Sequence, residues 1–374
     1  MSAPVAGAAA VAAVAGPVHV VGTGLLGTSV ALLLRGHGVE VTLEDPSPAA
    51  LAVAQQVGGG RPRVAGEGDP VLVVVAAPPD VTAQVVARQL ERFPAAVVTD
   101  VASVKAVVLE ELTAAGADLT RYVGSHPMAG REKGGPAHAS ADLFVGRPWV
   151  IAAPPAAAPP AVLKVRELAV DAGAFLVYMD AARHDAAVAL VSHVPQVLSS
   201  LTAARLAEAD PAALDLAGQG LRDVTRIAKS DPALWSSILV GNGAAVAAVL
   251  KQVRSDLDRA IAALDLGPAE QTLGQAVLEL TGLLGAGNRG VERVPGKHGG
   301  AQRVFDQVTV MVPDEPGELG RLFGEMGQLG INLEDLQLEH GAGQAVGLAT
   351  LAVQPGLGPE LVAGLEAQGW RILK

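Results

Sequence analysis

Between residues 17 and 179 the chain alternates two rhythms. Short apolar runs rich in β-branched residues ("VHVVG", "VEVTLED", "VLVVVAAPP", "AAVVTD", "YVGSHP" and "RPWVIAA") are separated by longer stretches with helical spacing. The run "VLVVV" is apolar at every position, as expected of a strand buried on both faces. Strands separated by helices require crossovers, which are right-handed, so this segment predicts a Rossmann-like, doubly wound, mostly parallel α/β sheet. "PPAAAPPA", residues 154–161, is expected to be a surface loop, because proline cannot occupy a helix interior.

From residue 180 to 289 the strand signal stops. Three long stretches carry apolar residues at helical spacing, and "SDPALW" marks a helix start, with Asp231 as cap and Pro232 at the first helical position. An all-α domain suited to dimerisation is expected here. Residues 290–303, "GVERVPGKHGGAQR", read as a linker. Residues 304–374 return to alternation in the order β-α-β-β-α-β, the pattern of a small ferredoxin-like α+β sandwich. Residues 1–16 are expected to be a disordered extension.

Composition narrows this picture. Aromatic residues make up only 3% of the 374, so the cores must be aliphatic. There is no cysteine, which excludes disulfides, thiolate metal sites and a cysteine nucleophile, and no metal is expected. A formal charge of −11 argues against nucleic acid or an anionic membrane as partner. The apolar N-terminal run has no Lys or Arg, unlike a secretory signal, and no uninterrupted apolar run is long enough to span a membrane. A cytoplasmic protein is expected.

Candidate chemistry gathers at predicted strand ends. Gly22, Gly24 and Gly27 form a Gly-x-Gly-x-x-Gly turn between a strand and the helix opened by Leu25 and Leu26. Such a turn brings backbone and a helix N-terminus against a pyrophosphate. Glu44 ends the next strand, at the distance where a carboxylate accepts hydrogen bonds from the adenosine ribose, with Asp45 as the rival. A carboxylate there favours NAD over NADP. Ala77 and Pro78, Ser103, and His126 follow three further strands, where an open parallel sheet binds its ligands. An alcohol dehydrogenase needs a base, and His126 suits it, with Ser103 as its hydrogen-bonding neighbour. Of the remaining histidines, His193 reads equally as a core residue, and His184 with Asp185 as helix-start residues. Trp235 is expected to pack near the site.

"DVASVK", "GSHPMAGREKGG" and "GLRDVTRIAKSDPALW" in this order resemble the prephenate dehydrogenase family of tyrosine biosynthesis. The stretch "VPDEPGELGRLFGEMGQLGINLEDL" resembles an ACT regulatory domain. The resemblance implies NAD-dependent oxidative decarboxylation of prephenate to 4-hydroxyphenylpyruvate by a homodimer, with His126 and Ser103 catalytic. It implies that Arg226, steadied by Asp223, binds a substrate carboxylate, and that Glu132 and Lys133 orient substrate beside His193 and Gln196. Many members carry a second histidine where this chain has Gln196, which leaves arogenate as an alternative substrate. A 3-hydroxyacid dehydrogenase or an NAD-binding sensor are more distant readings. The C-terminal resemblance implies an aromatic amino-acid effector near Asp314, Gly317, Gly330 and Asn332.

Overall fold

The computed structural model describes residues 12–64, 66–131, 133–267, 270–295, 305–340 and 346–373. The chain divides into two compact units. One comprises Met1–Ala209 with Val224–Gln252, the other Asp210–Asp223 with Val253–Lys374.

The first unit is built on eight strands: β1 (Val18–Val21), β2 (Val41–Glu44), β3 (Arg61–Pro62), β4 (Leu72–Val75), β5 (Val97–Asp100), β6 (Tyr122–Pro127), β7 (Pro148–Ala152) and β8 (Phe175–Tyr178). Their order in the sheet is β3-β2-β1-β4-β5-β6-β7-β8. Every neighbouring pair is parallel except β6 and β7, where His126 lies opposite Val150. The all-apolar strand is β4, and each of its four residues is fully buried. Alternation along it divides the core into two layers. Leu72 and Val74 pack with Val30, Leu34 and Val165 on one side, while Val73 and Val75 pack with Val86, Leu90 and Val108 on the other. Each such side chain contributes about 1.5–3 kcal/mol by leaving water.

Three local features depart from expectation. β8 closes the sheet edge with half-exposed residues and was not foreseen. Within the proline-rich stretch, Pro159 and Pro160 begin the helix Pro159–Asp171, where a missing N–H costs nothing. The extension expected through residue 16 is anchored from residue 13 onward. The Ala13 and Val14 amides donate to the two oxygens of Asp171 at 2.7 and 2.9 Å, and Val14 is buried in the core. Residues 1–11 lie outside the described residues.

After the sheet, residues 181–204 form one helical run, interrupted by a π-helical turn at Ala189–His193 just before Pro195. Pro195 has no N–H to donate, and the wide turn absorbs the defect. Asp180 caps this run through the Arg183 amide, and Asp231 caps Pro232–Gly241 through the Ala233 amide, as its sequence predicts.

In the second unit the helix Glu270–Glu292 runs slightly past the predicted linker boundary. Residues 296–303 of that linker lie outside the described residues. Strands β9 (Asp306–Pro313), β10 (Asp335–His340), β11 (Val346–Val353) and β12 (Arg371–Leu373) form an antiparallel sheet in the order β10-β11-β9-β12. With helices Glu318–Gln328 and Gly358–Ala367 this is the predicted β-α-β-β-α-β sandwich. Val310, Leu322, Leu351 and Leu361 form its buried centre.

Candidate active site

The carboxyl ends of β1, β4, β5 and β6, consecutive in the sheet, carry in order the glycine turn, Ala77 with Pro78, Ser103, and His126. The turn is shaped by close packing. Gly22 has φ +95°, and a Cβ there would lie 2.3 Å from the Ala76 carbonyl oxygen. A Cβ on Gly27 would lie 1.9 Å from the Gly22 oxygen. Gly24 instead faces open space, and no side chain caps the helix Leu25–Gly36 that follows it. Its first amides, at Leu25 and Leu26, are available to an anion, so this cradle fits a pyrophosphate.

The two ribose candidates, Glu44 and Asp45, have different partners. Glu44 turns back along the sheet face, where its carboxylate meets His19 Nε2 at 3.2 Å and Arg92 at 2.6 Å. The hydrogen bond from His19, with Arg92 beside it, holds the Glu44 carboxyl down to about 2. Asp45 lies at the rim instead. It accepts from the Thr23 amide at 2.6 Å, the Thr23 hydroxyl at 2.8 Å and the Ser47 amide at 2.7 Å.

Ser103 sits between Asp100 and Lys105, which form a buried ion pair. Asp100 also accepts from the Tyr122 hydroxyl at 2.7 Å and the Ala102 amide at 2.9 Å. The loop is therefore held from beneath by charge. The Ser103 hydroxyl has no hydrogen-bond partner among the described residues.

His126 is nine-tenths buried, and its Nδ1 lies 2.9 Å from His184 Nε2. His184 Nδ1 in turn lies 2.7 Å from Asp185 Oδ1. Asp185 also receives the Lys105 and Ala106 amides, each at 2.8 Å, and so caps the helix Ala106–Ala114 from another segment of the chain. His184 and Asp185, in the helix Ala181–Val188, are thus joined to His126 by hydrogen bonds. Burial pushes the His126 imidazole well below its ordinary range, reinforced by His184, Lys105 and His193.

His193 is buried, with Trp235 edge-on at 6.0 Å. Its Nδ1 lies 3.1 Å from Asn242 Nδ2, which also donates to the Asp185 carbonyl at 2.8 Å. The carbonyl can only accept, which fixes the amide's orientation. His193 Nδ1 is therefore the acceptor, and Nε2 carries the proton. Burial pushes His193 down to about 4, against the opposing pull of Asp185. Because the unfolded imidazole titrates near 6.5, the unfolded state takes up a proton that the folded state refuses between these values. Stability should be full above about pH 6.5 and fall as pH drops toward 4. Urea denaturation should show a loss of about 1–2 kcal/mol from His193 between pH 7.5 and 5, allowing for solvent screening. His193→Gln should flatten that slope.

Gln196 does not stand free toward a ligand. Its Nε2 donates to the Ile227 carbonyl at 3.0 Å, and its Oε1 accepts from Ser230 at 3.4 Å. It anchors the short turn Arg226–Lys229 that bears Arg226. Arg226 itself is exposed. Asp223 belongs to the preceding helix and accepts from Gln219 at 2.8 Å. Lys133 is exposed, and Glu132 lies outside the described residues. Sequence reasoning missed Asn242 and the Asp100–Lys105–Tyr122 group. "DVASVK" holds the first two of these charges, but nothing in the sequence shows that they are buried together.

Residues 30–178 match the family model "Prephenate dehydrogenase, nucleotide-binding domain", and residues 180–275 match "Prephenate dehydrogenase, dimerization domain". The chain belongs to the prephenate dehydrogenase family. It is 35% identical over 354 residues to a protein of Streptomyces niveus described as a probable prephenate dehydrogenase, covering 94% of this chain and 98% of that one. The prephenate dehydrogenase of A. aeolicus, solved with hydroxyphenyl propionate and NAD+, is similar at 25% identity and TM-score 0.62, covering 74% of this chain and 98% of that one. The arogenate dehydrogenase of Synechocystis is similar at 25% identity and TM-score 0.58, with 74% and 99% covered. The strand ends thus set the glycine turn and the buried His126 along one edge of the sheet.

Proposed function

We propose that the protein catalyses the NAD-dependent oxidative decarboxylation of prephenate to 4-hydroxyphenylpyruvate. The observation that carries this reading is His126, buried at the end of β6 and aligned through Ser103 with the glycine turn. NAD+ supplies the two-electron acceptor. Gly22, Gly24, Gly27, Leu25 and Leu26 would hold its pyrophosphate, and Ala77 and Pro78 border the same crevice. His126 takes the proton of the ring hydroxyl, and Ser103 orients that hydroxyl. His193, protonated on Nε2, is a donor suited to a substrate carboxylate, and Arg226 pairs with the other, with Lys133 and Glu132 as flanking charges. Loss of carbon dioxide then aromatises the ring.

Gln196 favours arogenate as a second reading, because a neutral side chain bound to the Arg226 turn adds no charge for a keto acid. NADH formation with prephenate and with arogenate at equal concentration decides between them. Turnover of neither would remove the assignment.

Asp45 is preferred to Glu44 as ribose acceptor, because it is bonded to Thr23 of the glycine turn itself, while Glu44 is bonded to His19 and Arg92. Asp45→Ala should weaken NAD+ by about 10–100-fold, the worth of a charge-assisted hydrogen bond. It should also narrow the preference over NADP+. Binding measured by fluorescence quenching should show Glu44→Ala leaving that preference intact.

A homodimer is supported by the apolar residues left exposed on the two long helices, among them Leu257 and Leu264 on Gly243–Asp265 and Val277 and Leu278 on Glu270–Glu292. Regulation by an aromatic amino acid is supported by a cavity of about 140 Å³ in the C-terminal sandwich, lined by Val312, Asp314, Gly317 and Leu338 among others. Gly330 and Asn332 do not line it. Isothermal titration with tyrosine and phenylalanine tests this, and absence of heat with both would remove the effector.

A further inference from the structure

We propose that His184, held by Asp185, is a proton relay for His126, loaded when the substrate hydroxyl is oxidised and emptied when the ring becomes aromatic. The inference rests on the reaction proposed above and concerns where its proton is kept.

The hydrogen-bond directions form a chain. Asp185 accepts two backbone amides at 2.8 Å as well as His184 Nδ1 at 2.7 Å. A carboxylate has nothing to donate, so His184 carries its proton on Nδ1. A neutral His184 then presents a lone pair at Nε2, and the 2.9 Å contact requires His126 to donate from Nδ1. His126 is left with its lone pair on Nε2, the form a base needs toward a hydroxyl. His193, ordered by Asn242, is in the opposite tautomer. Two imidazoles of one site are thus assigned opposite roles by their neighbours.

A positive charge is badly placed on His126. It is buried, and the groups that face it electrostatically are His184, Lys105 and His193, none of them negative. The charge is better placed one ring further, where His184 meets the Asp185 carboxylate. The rings stand edge to face, 75° apart, with centroids at 5.1 Å, and the bridging nitrogens are already at hydrogen-bond distance. Moving the proton across needs no rotation of either ring.

The balance closes within one turnover. The O–H bond of the substrate breaks and its proton goes to His126 Nε2, while the Nδ1 proton of His126 passes to His184 Nε2. Bound NAD+ would be the acceptor for the carbinol hydride, leaving a carbonyl. When the C–CO2 bond breaks, its electron pair enters the ring and the oxygen regains a proton from His126 Nε2, with His184 returning its own to His126 Nδ1. Prephenate and NAD+ become 4-hydroxyphenylpyruvate, carbon dioxide and NADH with no net proton. A store that releases nothing to solvent suits that balance, and His184 is fully buried.

His184→Gln separates relay from mere support. The glutamine oxygen can accept from His126 Nδ1 and keep its tautomer, but it cannot take the proton. We expect kcat to fall about 10–100-fold, part of the range for a lost proton-transfer partner, with KM within about twofold. The wild-type proton inventory in H2O/D2O mixtures should be curved, reporting two protons in motion, and that of the variant linear. A kcat within twofold of wild type with an unchanged inventory would overturn the relay. Independently of any variant, 15N NMR of the wild-type chain labelled in histidine should show neutral His126 protonated at Nδ1, and finding it at Nε2 would overturn the chain of directions. If the wild type turned over neither substrate, the reaction assignment would fail, and the NMR result would still decide the relay's geometry.

Discussion

His126→Asn is expected to lower kcat by about 10²–10⁴, the usual worth of a general base, while leaving the KM for NAD+ and the melting temperature close to wild type. The asparagine amide can still donate to His184 from the place of Nδ1, so no buried acceptor is orphaned. What disappears is Nε2, the nitrogen that the proposed mechanism turns toward substrate. The nucleotide cradle is formed on β1 and β4, separated from β6 in the sheet by β5, and the close contacts of Gly22 and Gly27 are with Ala76, Ala77 and each other. Steady-state kinetics with a thermal melt check this. A variant with near-normal kcat would move the base elsewhere in the site.

The largest effect on stability is expected at Lys105. Its side chain and that of Asp100 are both buried, and burial lowers the Lys105 pKa against the attraction of Asp100. Lys105→Met keeps most of the volume but leaves a carboxylate in the core with, among the described residues, the Tyr122 hydroxyl and the Ala102 amide as donors. Removing one partner of a buried pair costs about 3–5 kcal/mol, much of it the penalty of the stranded charge. Urea denaturation of the variant should show a loss in that range. Adding Asp100→Asn should recover part of it, because the stranded charge is then gone. If the double variant were no more stable than the single one, the loss would lie in packing. Because the pair brackets Ser103, kcat of the single variant should fall as well.

Much of this could be read from the chain. The β-branched runs gave the parallel strands, because a strand covered on both faces must be apolar throughout, as β4 is. Asp231 followed by Pro232 predicted a helix start by local chemistry that needs no distant partner. The failures share one cause: they depend on neighbours far along the chain. Phe175–Tyr178 is an edge strand, half exposed, reached by a short turn from a helix, and pairing with β7 makes it a strand. His184 is 58 residues from His126, and its part in the site exists only once its helix docks. Glu44 and Asp45 are adjacent at a strand end, where successive side chains point to opposite faces. Spacing locates the strand end but cannot say that one of the two pairs with His19 and Arg92 and the other with Thr23 and Ser47.

The capping of the helix Ala106–Ala114 by Asp185 bears on motion. Both carboxylate oxygens are held by amides of the nucleotide-binding half, while Asn242 grips the Asp185 carbonyl from the helical half. Swinging the His184 helix outward would uncap a helix and strand a carboxylate in one movement. We therefore expect His126 and the glycine turn to move little relative to each other. Slow opening of this joint is then not expected to limit turnover, which viscosity-dependent kinetics would check.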